Sequence, residues 1–152
     1  RSLYEHDKVK AMVNISHGEG FGLPLFEAAR CCLPIISIGW SGQMDFLSDN
    51  GNDMFLRVKH ELGPVQQEAV WDGVIQQDSQ WAYADQGSFK MSLRTMYKNH
   101  DKFTKQAEKL RDYINTDFRD EVLLKGFIDS ILGFDSSFLS VEEEEAPIME
   151  FE

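Results

Sequence analysis

Two glutamates framing a glycine-rich segment hold the chemistry of this 152-residue chain. In Ser16-His17-Gly18-Glu19-Gly20-Phe21-Gly22-Leu23-Pro24-Leu25-Phe26-Glu27, seven residues separate Glu19 from Glu27. A glycine turn directly before a helix offers backbone N–H groups and a positive dipole end to an anion. Glycines at 20 and 22 let a ligand approach the backbone closely and permit positive φ. Carboxylates accept hydrogen bonds from hydroxyls. A ligand carrying both phosphate and sugar hydroxyls, a nucleotide-sugar, satisfies both sets. Glu27 is expected in the first turn of the helix, where the dipole also favours an acid. Glu19 is expected in the glycine turn itself, where nothing structural asks for it.

The elements around this segment alternate as a parallel α/β sheet requires. Val9 to Ile15 is apolar-rich, stops at Ser16-His17-Gly18 and predicts a strand. Pro24 marks a helix start, where its missing N–H costs nothing, and Leu25 to Cys32 continue the helix. Pro34 to Ile38 is apolar on both faces, as in a buried parallel strand. A short helix is expected over 43–47 and a third strand over 53–59. Residues 63–86 are expected to be irregular, with Trp71 and Trp81 as partly buried anchors of a long loop. Phe89, Leu93, Met96 and Tyr97, then Phe103, Ala107, Leu110, Tyr113 and Ile114, have helical spacing, and Val122 to Leu132 predicts a last helix. The fold class is therefore α/β, with a parallel sheet and C-terminal helices. A sheet of this kind binds ligands at the carboxyl ends of its strands, and the glycine turn lies at the carboxyl end of the first.

Composition narrows the partners. The net charge is −11, and six acids (Glu142 to Glu145, Glu150 and Glu152) lie in a stretch without Lys or Arg. Residues 1–140 keep 20 acids against 15 bases, which argues against nucleic acid as a partner. Residues 136–152 are expected to be an acidic, disordered tail. No apolar run approaches the ~20 residues that span a bilayer. The first residues show no apolar signal segment, and the chain begins without Met, as a fragment would. Cys31 and Cys32 are adjacent and match neither a metal spacing nor a C-x-x-C motif. Two thiols without a disulfide framework fit a reducing, cytoplasmic compartment. The four histidines at 6, 17, 60 and 100 are scattered, so no metal cluster is expected.

Glu19-Gly20-Phe21-Gly22-Leu23-Pro24, followed by Glu27-Ala28-Ala29, Cys31, Leu33-Pro34-Ile35-Ile36 and Gly42, resembles the E-x7-E signature of retaining GT-B glycosyltransferases of family 4 (group 1). Trp40-Ser41-Gly42-Gln43-Met44-Asp45-Phe46-Leu47 resembles a branch of that family found among bacteria and viruses. The likeness covers residues 8–132 and is dense over 13–47. It implies that residues 1–135 are a partial Rossmann-like domain, the donor-binding C-terminal domain of a GT-B enzyme without its first strands. Glu19 would be the catalytic-site carboxylate, contacting the donor sugar. Glu27 would bind the ribose hydroxyls. Backbone N–H groups of Gly20, Phe21, Gly22 and Leu23 would hold sugar and diphosphate, and His17 could touch the sugar. The donor would be a UDP- or GDP-sugar, transferred without a metal or other cofactor. The full-length enzyme could sit peripherally at a membrane surface.

The chain departs from that family in several places. Cys32 stands where the family commonly has Gly, and Asp45 where it often has Glu. The Arg and Lys that contact the diphosphate in the family, and the N-terminal acceptor domain, are expected to be missing here. The isolated chain should then be nearly inert, and its uncovered sheet should favour homo-oligomers. One alternative is a non-enzymatic nucleotide-sugar-binding or assembly module with the same fold. Another is a hydrolase using Ser41 with His17 or Asp45, although Gly39-Trp40-Ser41-Gly42-Gln43 is not a G-x-S-x-G elbow.

Overall fold

A computed structural model of the chain describes residues 3–133, and contacts divide the chain into two units, Arg1–Thr116 and Asp117–Glu152. The tail expected from residue 136 lies outside the described residues.

The first unit is built on three short parallel strands. β1 (Met12–Asn14) is shorter than the expected strand over 9–15. β2 (Ile35–Ile38) is buried at all four positions, as its unbroken apolar run requires. Val13 lies opposite Ile36, and Ile36 opposite Leu56 of β5 (Leu56–Val58). The strand order is β1-β2-β5. The protein is thus mixed α/β, with a small parallel three-strand sheet and several helices.

Helix α1 (Leu23–Arg30) joins β1 to β2 and buries Leu25, Ala28 and Ala29, an i, i+3, i+4 stripe packed toward the strands. It starts at Leu23, one residue before the start that Pro24 marks. Its far end closes as a Schellman motif: Leu33 N–H donates to the Ala28 carbonyl and Cys32 N–H to that of Ala29, both at 3.0 Å. Cys32 occupies the left-handed position there, at φ 56°, without the freedom of a glycine. Burial pushes its thiol pKa up, helped by Glu108 and Asp112 and opposed by Arg111.

After β2 the chain makes a four-residue helix, α2 (Met44–Leu47), that buries Phe46 and Leu47. The third strand expected over 53–59 is divided. Ser48–Asp49 (β3) and Asn52–Asp53 (β4) pair antiparallel about Asn50-Gly51, both at positive φ, as Asn-Gly hairpin turns demand. Only Leu56–Val58 joins the parallel sheet.

The stretch expected to be irregular holds a β-ribbon instead. β6 (His60–Pro64) pairs antiparallel with β7 (Gln80–Ala84). Gly63-Pro64 reads as a chain breaker, yet Pro64 is the last residue of its strand, where a missing donor is tolerated. On β7 the side chains alternate. Trp81 and Tyr83 turn toward His17, while Ala82 is fully buried. Trp71, expected as an anchor, is 66% exposed.

Asp85 caps α3 (Gln86–Lys98) by accepting from the Ser88 N–H at 2.6 Å. Along α4 (His100–Asp117), Phe103, Ala107, Leu110 and Ile114 are buried, as their spacing predicts. On α3 Met96 is buried, whereas Tyr97 is 87% exposed. One core cluster gathers Ile36, Ile38, Val58, Ala82, Met96 and Phe103, joining sheet, ribbon and both helices. In the second unit, α5 (Asp120–Leu132) begins with two acids and ends at Gly133 in the left-handed conformation. No helix among the described residues is long and apolar enough to cross a membrane.

Candidate functional site

The carboxyl ends of β1, β2 and β5 lead into three connections, and these build the site. Asn14, the last residue of β1, starts it. Its Oδ1 accepts from the Ser16 N–H at 2.7 Å, which aims its Nδ2 at Glu19. Glu19 Oε1 accepts from Asn14 Nδ2 and from Ser16 Oγ, both at 2.9 Å. Oε2 has no protein partner among the described residues. The carboxylate is therefore held by one oxygen and offers the other.

The turn after β2 latches onto this one. Ser41 Oγ donates to the Glu19 carbonyl at 2.6 Å and accepts from the Glu19 N–H at 3.2 Å. Gly42 N–H donates to the same carbonyl at 3.0 Å. The backbones approach so closely that a Cβ on Gly42 would lie 1.9 Å from the Gly20 carbonyl oxygen. Ser41 itself sits at φ 72°. Its hydroxyl is committed to the Glu19 backbone and bonds neither His17 nor Asp45 among the described residues. That leaves the hydrolase alternative without its proton acceptor.

From Gly20 the turn runs into α1. Gly22 caps the helix at φ 86°, and its carbonyl accepts from Leu25 and Phe26. Of the two glycines that permit positive φ, 20 and 22, Gly22 adopts it. Phe21 turns its ring away from this backbone, packing 5.1 Å from both Phe26 and Phe46. The N–H groups of Gly20, Phe21, Gly22 and Leu23 have no protein acceptor among the described residues. These are the four N–H groups that the sequence expects to meet a ligand.

Glu27 is elsewhere. It is the fifth residue of α1, so it lies in the second turn and the first turn holds no acid. The expected dipole benefit is lost because the helix begins early, at Leu23. Glu27 is exposed and lines a depression of about 470 Å³ with Tyr4, Arg30, Cys31, Arg111 and Asn115, none of them a residue of the glycine turn.

His17 joins the turn to the ribbon. Its carbonyl accepts from the Ala82 N–H at 3.1 Å, and its ring stacks on Trp81. Trp40, 37% exposed, stands over Gly18, with His60 at 5.9 Å between ring centroids. Arg57, the middle residue of β5, makes two 2.6 Å bonds to Asp53 and reaches the Gly39 carbonyl at 3.3 Å. The bond to Asp53 pushes its pKa up and keeps the cation engaged.

Sequence reasoning missed Asn14, Ser16, Trp81 and the Ala82 backbone as parts of this site. Polar residues at the end of β1 were a usable signal for the first two. A backbone carbonyl has no signature in residue types, so Ala82 had none. No group of three or more His, Cys, Asp or Glu residues able to hold a metal comes together among the described residues. A scan against protein-family models and a search of curated proteins returned no match to this chain.

Proposed function

We propose that the chain is the nucleotide-sugar-binding part of a retaining GT-B glycosyltransferase of family 4, with its parallel sheet a partial Rossmann-like domain. The observation that carries this reading is Glu19. A carboxylate fixed through one oxygen by Asn14 and Ser16, with the other oxygen open, stands beside four uncommitted backbone N–H groups at a helix start. Glu19 would accept from hydroxyls of the donor sugar. The N–H groups would stabilise charge that develops on the departing diphosphate, and being already in place they need no reorganisation. Glu27, one helical turn beyond Leu23, would take the ribose hydroxyls. The acceptor would be held by a domain outside this chain, so the chain alone binds the donor and transfers little or nothing.

A second reading, a binding or assembly module without transfer, is favoured by one observation. Arg57, a cation at the sheet, is paired with Asp53 in a part-exposed ion pair and stands in no contact with the glycine turn among the described residues. Calorimetry with UDP-, GDP- and ADP-sugars tests the shared claim. Saturable binding to at least one, weakened by Glu19→Ala, is expected; absence of binding to all three overturns it.

A further inference from the structure

His17 is held by its surroundings in one orientation. Nδ1 lies 2.8 Å from the Ala82 carbonyl oxygen. A carbonyl oxygen can only accept, so Nδ1 carries the proton and Nε2 of the neutral ring carries the lone pair. The imidazole lies flat on Trp81, ring centroids 4.6 Å and planes 8° apart, with Tyr83 tilted against it at 4.8 Å. A flip of the ring would put Cδ2 in the place of Nδ1 and lose the hydrogen bond, and on the way it would break the stack. The acceptor is itself anchored. Ala82 is fully buried in the core cluster, and its N–H bonds the His17 carbonyl at 3.1 Å. Nε2 has no partner among the described residues.

We infer that His17 is the neutral hydrogen-bond acceptor of the ligand site, and that Trp81 is the positioning residue that holds it, with the Ala82 carbonyl, in the Nδ1–H tautomer. The group it takes is a hydroxyl. This rests on the nucleotide-sugar reading of the adjacent turn. Two residues apart, Glu19 and His17 then form a charged and a neutral acceptor for two hydroxyls of one sugar. A fixed acceptor left unpaired penalises an analogue that lacks the hydroxyl far more than an apolar wall would. Residues 80–84, outside the glycine motif, thereby become part of the specificity apparatus.

Long-range proton–nitrogen NMR on the ¹⁵N-labelled chain tests this. Spectra are taken at about pH 8, and His17 is assigned with His17→Gln. Without ligand, Nδ1 should show the protonated type of shift and Nε2 the lone-pair type. Trp81→Phe should keep that pattern, and Trp81→Ala should give a tautomer mixture. A mixture or an Nε2–H tautomer in the unmodified chain overturns the inference whatever the variants do. So does Trp81→Ala leaving the tautomer unchanged. Addition of UDP-, GDP- and ADP-glucose should move Nε2 together with the amides of residues 20–23. Movement of the amides alone overturns the role of His17 and leaves the nucleotide-sugar reading standing. Movement of neither overturns both.

Discussion

Glu19 and Glu27 frame one motif but stand in different environments. Glu19 is half-buried, held through Oε1 by two side-chain donors, and its backbone is latched by Ser41 and Gly42. Glu27 is exposed on a helix flank and faces an open depression. The first is held in place by the protein itself; the second has no side-chain hydrogen bond among the described residues. Preorganisation is what makes an electrostatic group effective on developing charge. On the proposed reading, that difference suits Glu19 to the reacting end of a donor and Glu27 to the recognised end.

The largest break in that contrast should come from Gly42→Ala. Its Cβ would meet backbone, the Gly20 carbonyl, at 1.9 Å, and no side-chain rotation relieves that. The two turns must part, which takes the Glu19 latch with them. A loss of roughly 1–3 kcal/mol in urea unfolding is expected, as for other overpacked positions, along with loss of nucleotide-sugar binding. The depression at Glu27 should survive in the folded fraction. A variant as stable as the parent would show that the turns are not welded at this point.

Removing each carboxylate in turn sharpens the comparison. Glu19→Ala leaves Asn14 Nδ2 and Ser16 Oγ, both part-buried, without their acceptor. An unfolding free energy lower by about 1–2 kcal/mol is expected. Glu27→Ala removes an exposed side chain for the best helix former, so the change should stay within about 0.5 kcal/mol. Both should weaken donor binding. Equal stability effects in chemical denaturation would mean that Glu19 is not structurally engaged.

The same division marks what was legible in the sequence. The unbroken apolar run of β2 and the stripe of α4 required burial whatever their neighbours, so both were readable. The glycine turn was readable as a strand-to-helix turn, a use that glycine-rich segments have in many α/β proteins. Residues 60–64 and 80–84 were not, since Gly63-Pro64 suggests a break and the pairing is settled across fifteen intervening residues. Pro24 misled by one step. It is the second helical residue, not the mark of the helix start, and Glu27 moved out of the first turn as a result. The latch escaped for a deeper reason: Ser41 bonds the backbone of Glu19, and backbone acceptors are common to every residue.

The smallest expected effect concerns the far end of the helix that carries Glu27. Cys32 holds φ 56° at the Schellman position, a conformation costing a non-glycine residue about 1 kcal/mol. Cys32→Gly removes that strain. Against it stand the loss of a half-buried thiol and the greater unfolded-state freedom of glycine. The balance should be a gain of roughly 0.5 kcal/mol, read as a higher urea midpoint at an unchanged slope. Donor affinity should not move, because the turn at Gly22 and the Glu19 latch lie at the opposite end of α1. A changed affinity would show that the helix transmits strain from Cys32 to the turn, and the two glutamates would then belong to one mechanical unit.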